Sequence, residues 1–190
     1  NNFQITHWAI SIDASENTYS PFASDPSLNT LTFGLFDDSF MHQTHSESDN
    51  EYNRASWLFF GTDRYTNNPM GGEFSYYTNY DQQNVLSLPN GPHGRNFESF
   101  ADQYHISYML GNDQYRYQPD SRIHQASMAT GYKFNIDSFE ASSQQSRLTI
   151  SNTGIAPIYY DAYPSIDDTR SSTSLKGLLP GESRDFLVEK

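Results

Sequence analysis

Cysteine is absent from the sequence, which excludes a disulfide framework, a thiolate zinc site and a thiol nucleophile. Basic residues are scarce: 11 Lys and Arg stand against 23 Asp and Glu, a formal net charge of -12. A field of that sign repels phosphate backbones, so no nucleic acid is expected as a partner. No apolar run reaches the roughly 18 residues a membrane span needs, and none is expected to cross one. The chain opens on NNFQITHWAISI, with no basic stretch leading into an apolar one, so any signal peptide is expected to have been removed. Dinucleotide and P-loop glycine patterns, HExxH, an EF-hand loop and GxSxG are missing as well, which leaves no cofactor to expect.

What the chain does have is rings. Aromatic residues make up 15%, with 14 Tyr and 13 Phe against 2 Trp, and such side chains either fill a core or present their faces to a ligand. At 190 residues, 35% apolar and 18% charged, there is room for one domain of ordinary size, or one with a small satellite, around a real core. The acidic, Tyr- and Asn-rich composition leans towards an exported protein: secreted, periplasmic or held at a bacterial cell surface.

Patterning divides the chain in two. THWAISID at 6–13 and TLTFGLF at 30–36 read as strands, the second an unbroken apolar run ended by Asp37-Asp38, as in a buried parallel strand. Residues 40–49 read as a polar loop, 51–62 as a helix, and 79–96, containing PNGPHG, as a long irregular connection. Apolar residues at 97, 100, 101, 104 and 108 predict a helix over 97–110. A second helix starts at Asp120 or Ser121 and stops at Gly131, before a strand YKFNID. From about 140 the grammar is all-β: short runs separated by NTG, DDTR and LPGES, predicting antiparallel strands over 144–190. The expected class is therefore α/β over 1–143, followed by a small antiparallel β domain over 144–190.

Three carboxylates are the best candidates for chemistry. Asp37 and Asp38 end a buried strand, where barrel enzymes place reactive groups. Glu73 follows Gly71-Gly72, which let the backbone pass close to a neighbour and project the side chain into a cleft. One acid with one base or nucleophile is the requirement of a glycosidase, with carboxyls roughly 5 Å apart in retaining enzymes and roughly 6.5–9.5 Å in inverting ones. Glu73 is expected as the acid, because rings surround it, and Asp38 or Asp37 as the base or nucleophile. The competing reading has an aspartate capping the next turn and Glu73 paired with Arg64. His105 and Tyr108 are candidate sugar contacts, or core residues of a helix; Trp57 is a candidate stacking platform, as is Trp8. His42 and His45 beside Asp37, Asp38 and Asp49 have metal-ligating side chains but no metal-site spacing, so a surface loop is the expectation there.

The ordered set LTFGLFDDSF, PMGGEFS, ADQYHISYML, MATGYKFNI and LTISNTGIAPIYYD resembles the bacterial domain of unknown function 4832 family, the later part of secreted glycoside-hydrolase-like proteins. The resemblance covers about residues 30–182. Its motifs match Asp37, Asp38 and Phe40; Gly71, Gly72 and Glu73; His105, Ser107 and Tyr108; Gly131, Tyr132 and Phe134; and Asn152 through Pro157. Lys133 replaces the family's usual Arg and loses its bidentate fork. The resemblance implies a partial (β/α) barrel lacking its N-terminal half, then a β-sandwich-like domain, with Asp38 and Glu73 near the barrel mouth. A poly- or oligosaccharide is then the expected partner, cleaved in an enzyme or merely bound in a glycan-binding or cell-envelope module, and an upstream barrel segment is expected from elsewhere.

Overall fold

A computed structural model of the chain describes residues 5–8, 33–42, 63–92 and 94–189, with 5–8, 33 and 38 given by their backbone alone. Four strands, β1 (Ile5–Trp8), β2 (Phe33–Phe40), β3 (Met70–Phe74) and β4 (Ile106–Leu110), form an open sheet in that order. Every neighbouring pair is parallel. The apolar run expected as a buried strand thus has parallel partners on both sides, β1 and β3. It does not stop at Asp37-Asp38, as the charge pattern suggested, but continues to Phe40. Burial of the Phe40 ring explains this: it lies edge-on to Phe97, Phe100 and Tyr104 and is almost wholly removed from water. Covering a ring of that size stabilises by roughly 2–3 kcal/mol, enough to carry the strand past two carboxylates.

Helices cover one face of this sheet. The first, α1 (Asn79–Asn84), lies within the stretch expected to be irregular. Its signal is Thr78-x-x-Asp81, whose threonine Oγ1 accepts the Asp81 N–H at 3.0 Å and caps the first turn. The helix predicted over 97–110 is corrected to α2 (Phe97–Gln103), followed directly by β4. His105 lies between them at φ 52°, a left-handed turn that ends the helix. Helix-like spacing over 97–104 was real, since Phe97, Phe100 and Ala101 are buried. Beyond it, pairing with β3 buries Ile106 and satisfies the backbone better than another helical turn. A short α3 (Gln114–Tyr117) precedes α4 (Asp120–Met128), which starts where expected and ends ahead of Gly131 at φ 70°. Arg122 of α4 is buried, forks onto both oxygens of Glu98 at 2.7 and 3.0 Å, and donates Nε–H to Leu86 O at 2.8 Å. It ties α4 to α2 and to the turn after α1. The helix predicted at 51–62 and the polar loop beyond 42 lie outside the described residues.

The strand after Gly131 does not join the parallel sheet as a helix–strand unit would. It is β5 (Phe134–Ala141), antiparallel to β6 (Gln145–Asn152), which pairs in turn with β9 (Ser183–Glu189). The change from parallel to antiparallel pairing comes before Phe134. β7 (Ser165–Ile166) and β8 (Thr169–Arg170) form a separate small hairpin. Antiparallel strands over 144–190 are as expected, and no helix interrupts them. Alternation sorts β6 cleanly: Ser146, Leu148, Ile150 and Asn152 are buried, while Arg147, Thr149 and Ser151 look outwards. Leu148, Ile150, Ile158, Leu178, Phe186 and Val188 make the core of this second sheet.

Asn152-Thr153-Gly154 turns the chain as its residue types suggested, for a different reason. Gly154 does not need a positive φ. A Cβ there would stand 2.5 Å from Gly131 O and Lys133 N. The glycine permits backbone to pass backbone, and Asn152 fixes the crossing by accepting the N–H groups of Lys133 and Gly154 at its Oδ1.

Candidate functional site

Glu73 is the fourth of the five residues of β3, half-buried at the C-terminal end of the parallel sheet. Two-residue alternation puts it on the same face as Gly71 and opposite Gly72. Over Gly71 lies the Tyr108 ring, where any Cβ would collide with it, and Phe36 stacks on Tyr108 with centroids 6.4 Å apart. A Cβ on Gly72 would meet Asp37 O at 2.7 Å and, on the helix-packed side, Phe40 and Met109 at 3.4 Å. The glycine pair thus serves close approach on both faces, and Glu73 shares its face with the Phe36–Tyr108 pair, whose rings stand outside both apolar cores.

On β2 the register shows one extra residue. Asp37 pairs with Gly72 and Phe40 with Phe74, three steps against two. A bulge of this kind at a sheet end re-aims side chains and is common beside active sites. Asp37 stabilises it, its Oδ1 accepting the Ser39 N–H at 2.8 Å. Asp38 and Ser39 lie inside the bulge on the strand that neighbours β3, and the Asp38 side chain is outside the described residues.

The remaining candidates separate. His105 and Tyr108 are close in sequence but serve different places. Nδ1 of His105 bonds Ile155 O at 2.7 Å, and its ring stacks on Tyr65 at 3.5 Å and 13°. It is a half-buried strut between the two sheets, not a residue of a helix face. Tyr108 contributes to a hollow of about 360 Å³ at the N-terminal ends of β3 and β4, with Pro69, Tyr132, Pro157, Tyr159 and Tyr160. Tyr160 and Tyr132 are exposed residues, at 67% and 49%. Trp57 lies outside the described residues, as do His45 and Asp49, and nothing is described of the Trp8 side chain. Among the described residues no group of three or more His, Asp or Glu forms a metal site.

No family model, curated protein or solved structure matches this chain.

That geometry holds groups which the sequence reading missed. Asp81 is fully buried and accepts Ser75 Oγ–H at 2.7 Å and the His42 Nδ1 side at 2.5 Å, both on Oδ2. With Asp81 as a carboxylate, the Nδ1 of His42 carries the hydrogen. Ser75 is also 3.3 Å from that nitrogen. These are the residue types of a hydrolase triad without its arrangement. A triad serine faces Nε2 of the histidine and meets substrate, whereas Ser75 shares the carboxylate and is fully buried. The cluster instead joins the ends of β2 and β3 to the first turn of α1 and fixes the rim around Glu73. Its sequence signal was Thr78-x-x-Asp81; the separation of His42 from Asp81 by 39 residues hid the rest.

At the other end of the sheet, Tyr159 OH donates to Tyr65 O at 2.7 Å. Since that carbonyl only accepts, Ser107 Oγ must donate to the phenol across 3.2 Å. Burial, partly offset by the Ser107 bond, pushes the Tyr159 phenol up to about 12. Tyr159 is therefore a neutral donor fixed in the wall of the tyrosine hollow.

Proposed function

We propose that this chain is part of a secreted carbohydrate-active enzyme that hydrolyses a glycosidic bond of a poly- or oligosaccharide. The four parallel strands form part of a (β/α) barrel, and an upstream segment supplies the others. The observation that carries the reading is the position of Glu73. It stands at the C-terminal end of a parallel strand, on the face of the Phe36–Tyr108 pair, beside the bulged strand whose backbone includes Asp38. The C-terminal ends of such strands are where barrel enzymes put their chemistry. Glu73 acts as the general acid towards the leaving oxygen. Asp38 is the base or nucleophile in preference to Asp37, whose carboxylate is already occupied with the Ser39 amide.

The test uses the intact protein, upstream segment included, with a panel of oligosaccharides. Glu73→Gln keeps shape and loses the transferable proton, so turnover falls by roughly 10²–10⁴-fold while circular dichroism and sugar affinity stay near wild type. Full kcat in that variant overturns the acid assignment.

A second reading, a glycan-binding or cell-envelope module without hydrolysis, is favoured by the tyrosine hollow, because exposed rings beside fixed hydroxyls suit a pyranose face. Sugar binding without turnover, weakened by Tyr160→Ala and indifferent to Glu73→Gln, selects it.

A further inference from the structure

The second sheet ends at β5, whose far edge has no strand beside it among the described residues. All of its residues after Phe134 are exposed. Opposite residues of an antiparallel pair share a face, so the partners on β6 sort them. Ile136 and Phe139 stand opposite Ile150 and Leu148 of the apolar core, whereas Asn135, Ser138 and Glu140 stand opposite the outward-looking Ser151, Thr149 and Arg147. Asp137 is the extra residue of a bulge, and its carboxylate accepts Ser151 Oγ–H at 2.9 Å on that same outer face. Ile136 and Phe139 thus continue the dry face of β6, yet they are 59% and 55% exposed. The residues that cover Leu148 and Ile150, among them Ile158 and Leu178, do not reach them. An unpaired edge with apolar side chains on one face is a template for another strand.

The bulge decides which strand fits. In an unbroken strand, residues three apart fall on opposite faces, but across the bulge Ile136 and Phe139 fall on one. A regular strand paired step for step with β5 is therefore out of face on one side of the bulge, whereas a strand carrying the same bulge is not. Set antiparallel to itself about a two-fold axis between Asp137 and Ser138, β5 brings Ile136 against Phe139, Phe134 against Ala141, Asn135 against Glu140 and Asp137 against Ser138. Each pair matches in face, and each carboxylate meets an amide or a hydroxyl instead of another carboxylate. We propose that β5 pairs in this register with β5 of a second copy of the chain, joining two three-stranded sheets into one of six strands. The contact is isologous, so each of these pairs occurs twice. It uses no residue of the Glu73 rim or of the tyrosine hollow and is independent of the glycan reading. One strand pair is small against the roughly 800 Å² per partner of a stable interface, and each copy carries a net charge of -12, so the dimer is a weak one, with Kd on the order of 100 μM.

Sedimentation equilibrium of the full chain, from about 5 μM to about 1 mM, is expected to give a monomer–dimer equilibrium that tightens several-fold between low salt and roughly 0.5 M NaCl, as the repulsion of two acidic copies is screened. In a mixture of ¹³C-labelled and unlabelled chain, filtered NOEs should connect the Ile136 methyls of one copy to the Phe139 ring of the other. Ile136→Ser, at an exposed position, should weaken association by about five-fold or more. Asn135→Lys should tighten it by about three-fold or more through Glu140 of the second copy. Gln125→Lys makes the same charge change at an exposed site on α4 and should stay within about two-fold of wild type. The wild-type sedimentation and NOE data decide the matter if a variant fails to fold. A monomer at 1 mM in both salts leaves the edge to a different strand and overturns the proposal. So do filtered NOEs joining other residues, equal effects of the two lysines, or an Ile136→Ser dimer as tight as wild type.

Discussion

His42, two residues past β2, and Ser75, the residue after β3, meet at a single oxygen of the buried Asp81 carboxylate, so one side chain of α1 holds the ends of two strands in register. The arrangement sets the rim on which Glu73 stands, and its loss should be felt in stability before chemistry.

Asp81→Ala strands a buried imidazole and a buried hydroxyl, and should cost about 3–5 kcal/mol. Asp81→Asn keeps one acceptor oxygen and should cost about 1–3 kcal/mol. Urea unfolding at neutral pH measures both. Costs below about 1 kcal/mol for both substitutions would show that the carboxylate is not what holds the strand ends.

Tyr159 gives the protein an alkaline limit. Its phenol is raised in the folded state from an ordinary 10.0 to about 12. Between those values the unfolded chain loses the proton while the folded chain retains it, so stability is full below pH 10 and falls as pH rises towards 12. The loss is on the order of 2–3 kcal/mol. Tyr159→Phe should lower stability at neutral pH and flatten that alkaline slope. An unchanged slope, measured by denaturant titration from pH 9 to 12, would assign the effect to other tyrosines.

The two described Arg–carboxylate pairs should behave differently. Glu98→Ala leaves the guanidinium of Arg122 buried without its forked partner and should cost about 3 kcal/mol. Asp113→Ala removes a pair whose side chains are 59% and 37% exposed, and should cost less than about 1 kcal/mol. Thermal unfolding of both variants in low and high salt checks the contrast, with salt mattering only to the second.

Gly154→Ala should be among the most damaging single-methyl additions. The new Cβ meets three backbone atoms at 2.5–2.7 Å, none on a side chain that can swing away. A cost of about 3 kcal/mol or more is expected, with loosened contact between the two sheets. Gly177→Ala is the control: there the space is open and only a φ of 68° opposes a side chain, worth roughly 1–2 kcal/mol. Were the two variants equally stable, close approach would not be the reason for Gly154.

Much of this protein was determined by sequence alone. The apolar run ending at Phe36 specified a buried parallel strand because no polar residue interrupts it to mark a solvent face. Strict alternation in SRLTISN specified one dry and one wet face, and so an antiparallel sheet. Gly71-Gly72 ahead of Glu73 announced close packing, and the Tyr108 ring and the Asp37 carbonyl oxygen occupy the space that Cβ atoms would need. Other features depended on contacts that no local window contains. Residues 106–110 were as good a helix as a strand until β3 was available to pair with them. His105 looked like part of a helix face, and became a strut only because Ile155 O arrives from 50 residues away. The His42–Asp81–Ser75 cluster was invisible for the same reason. Hydrogen-bond partners are selected by proximity in space, and local spacing reports proximity only within a single strand or helix.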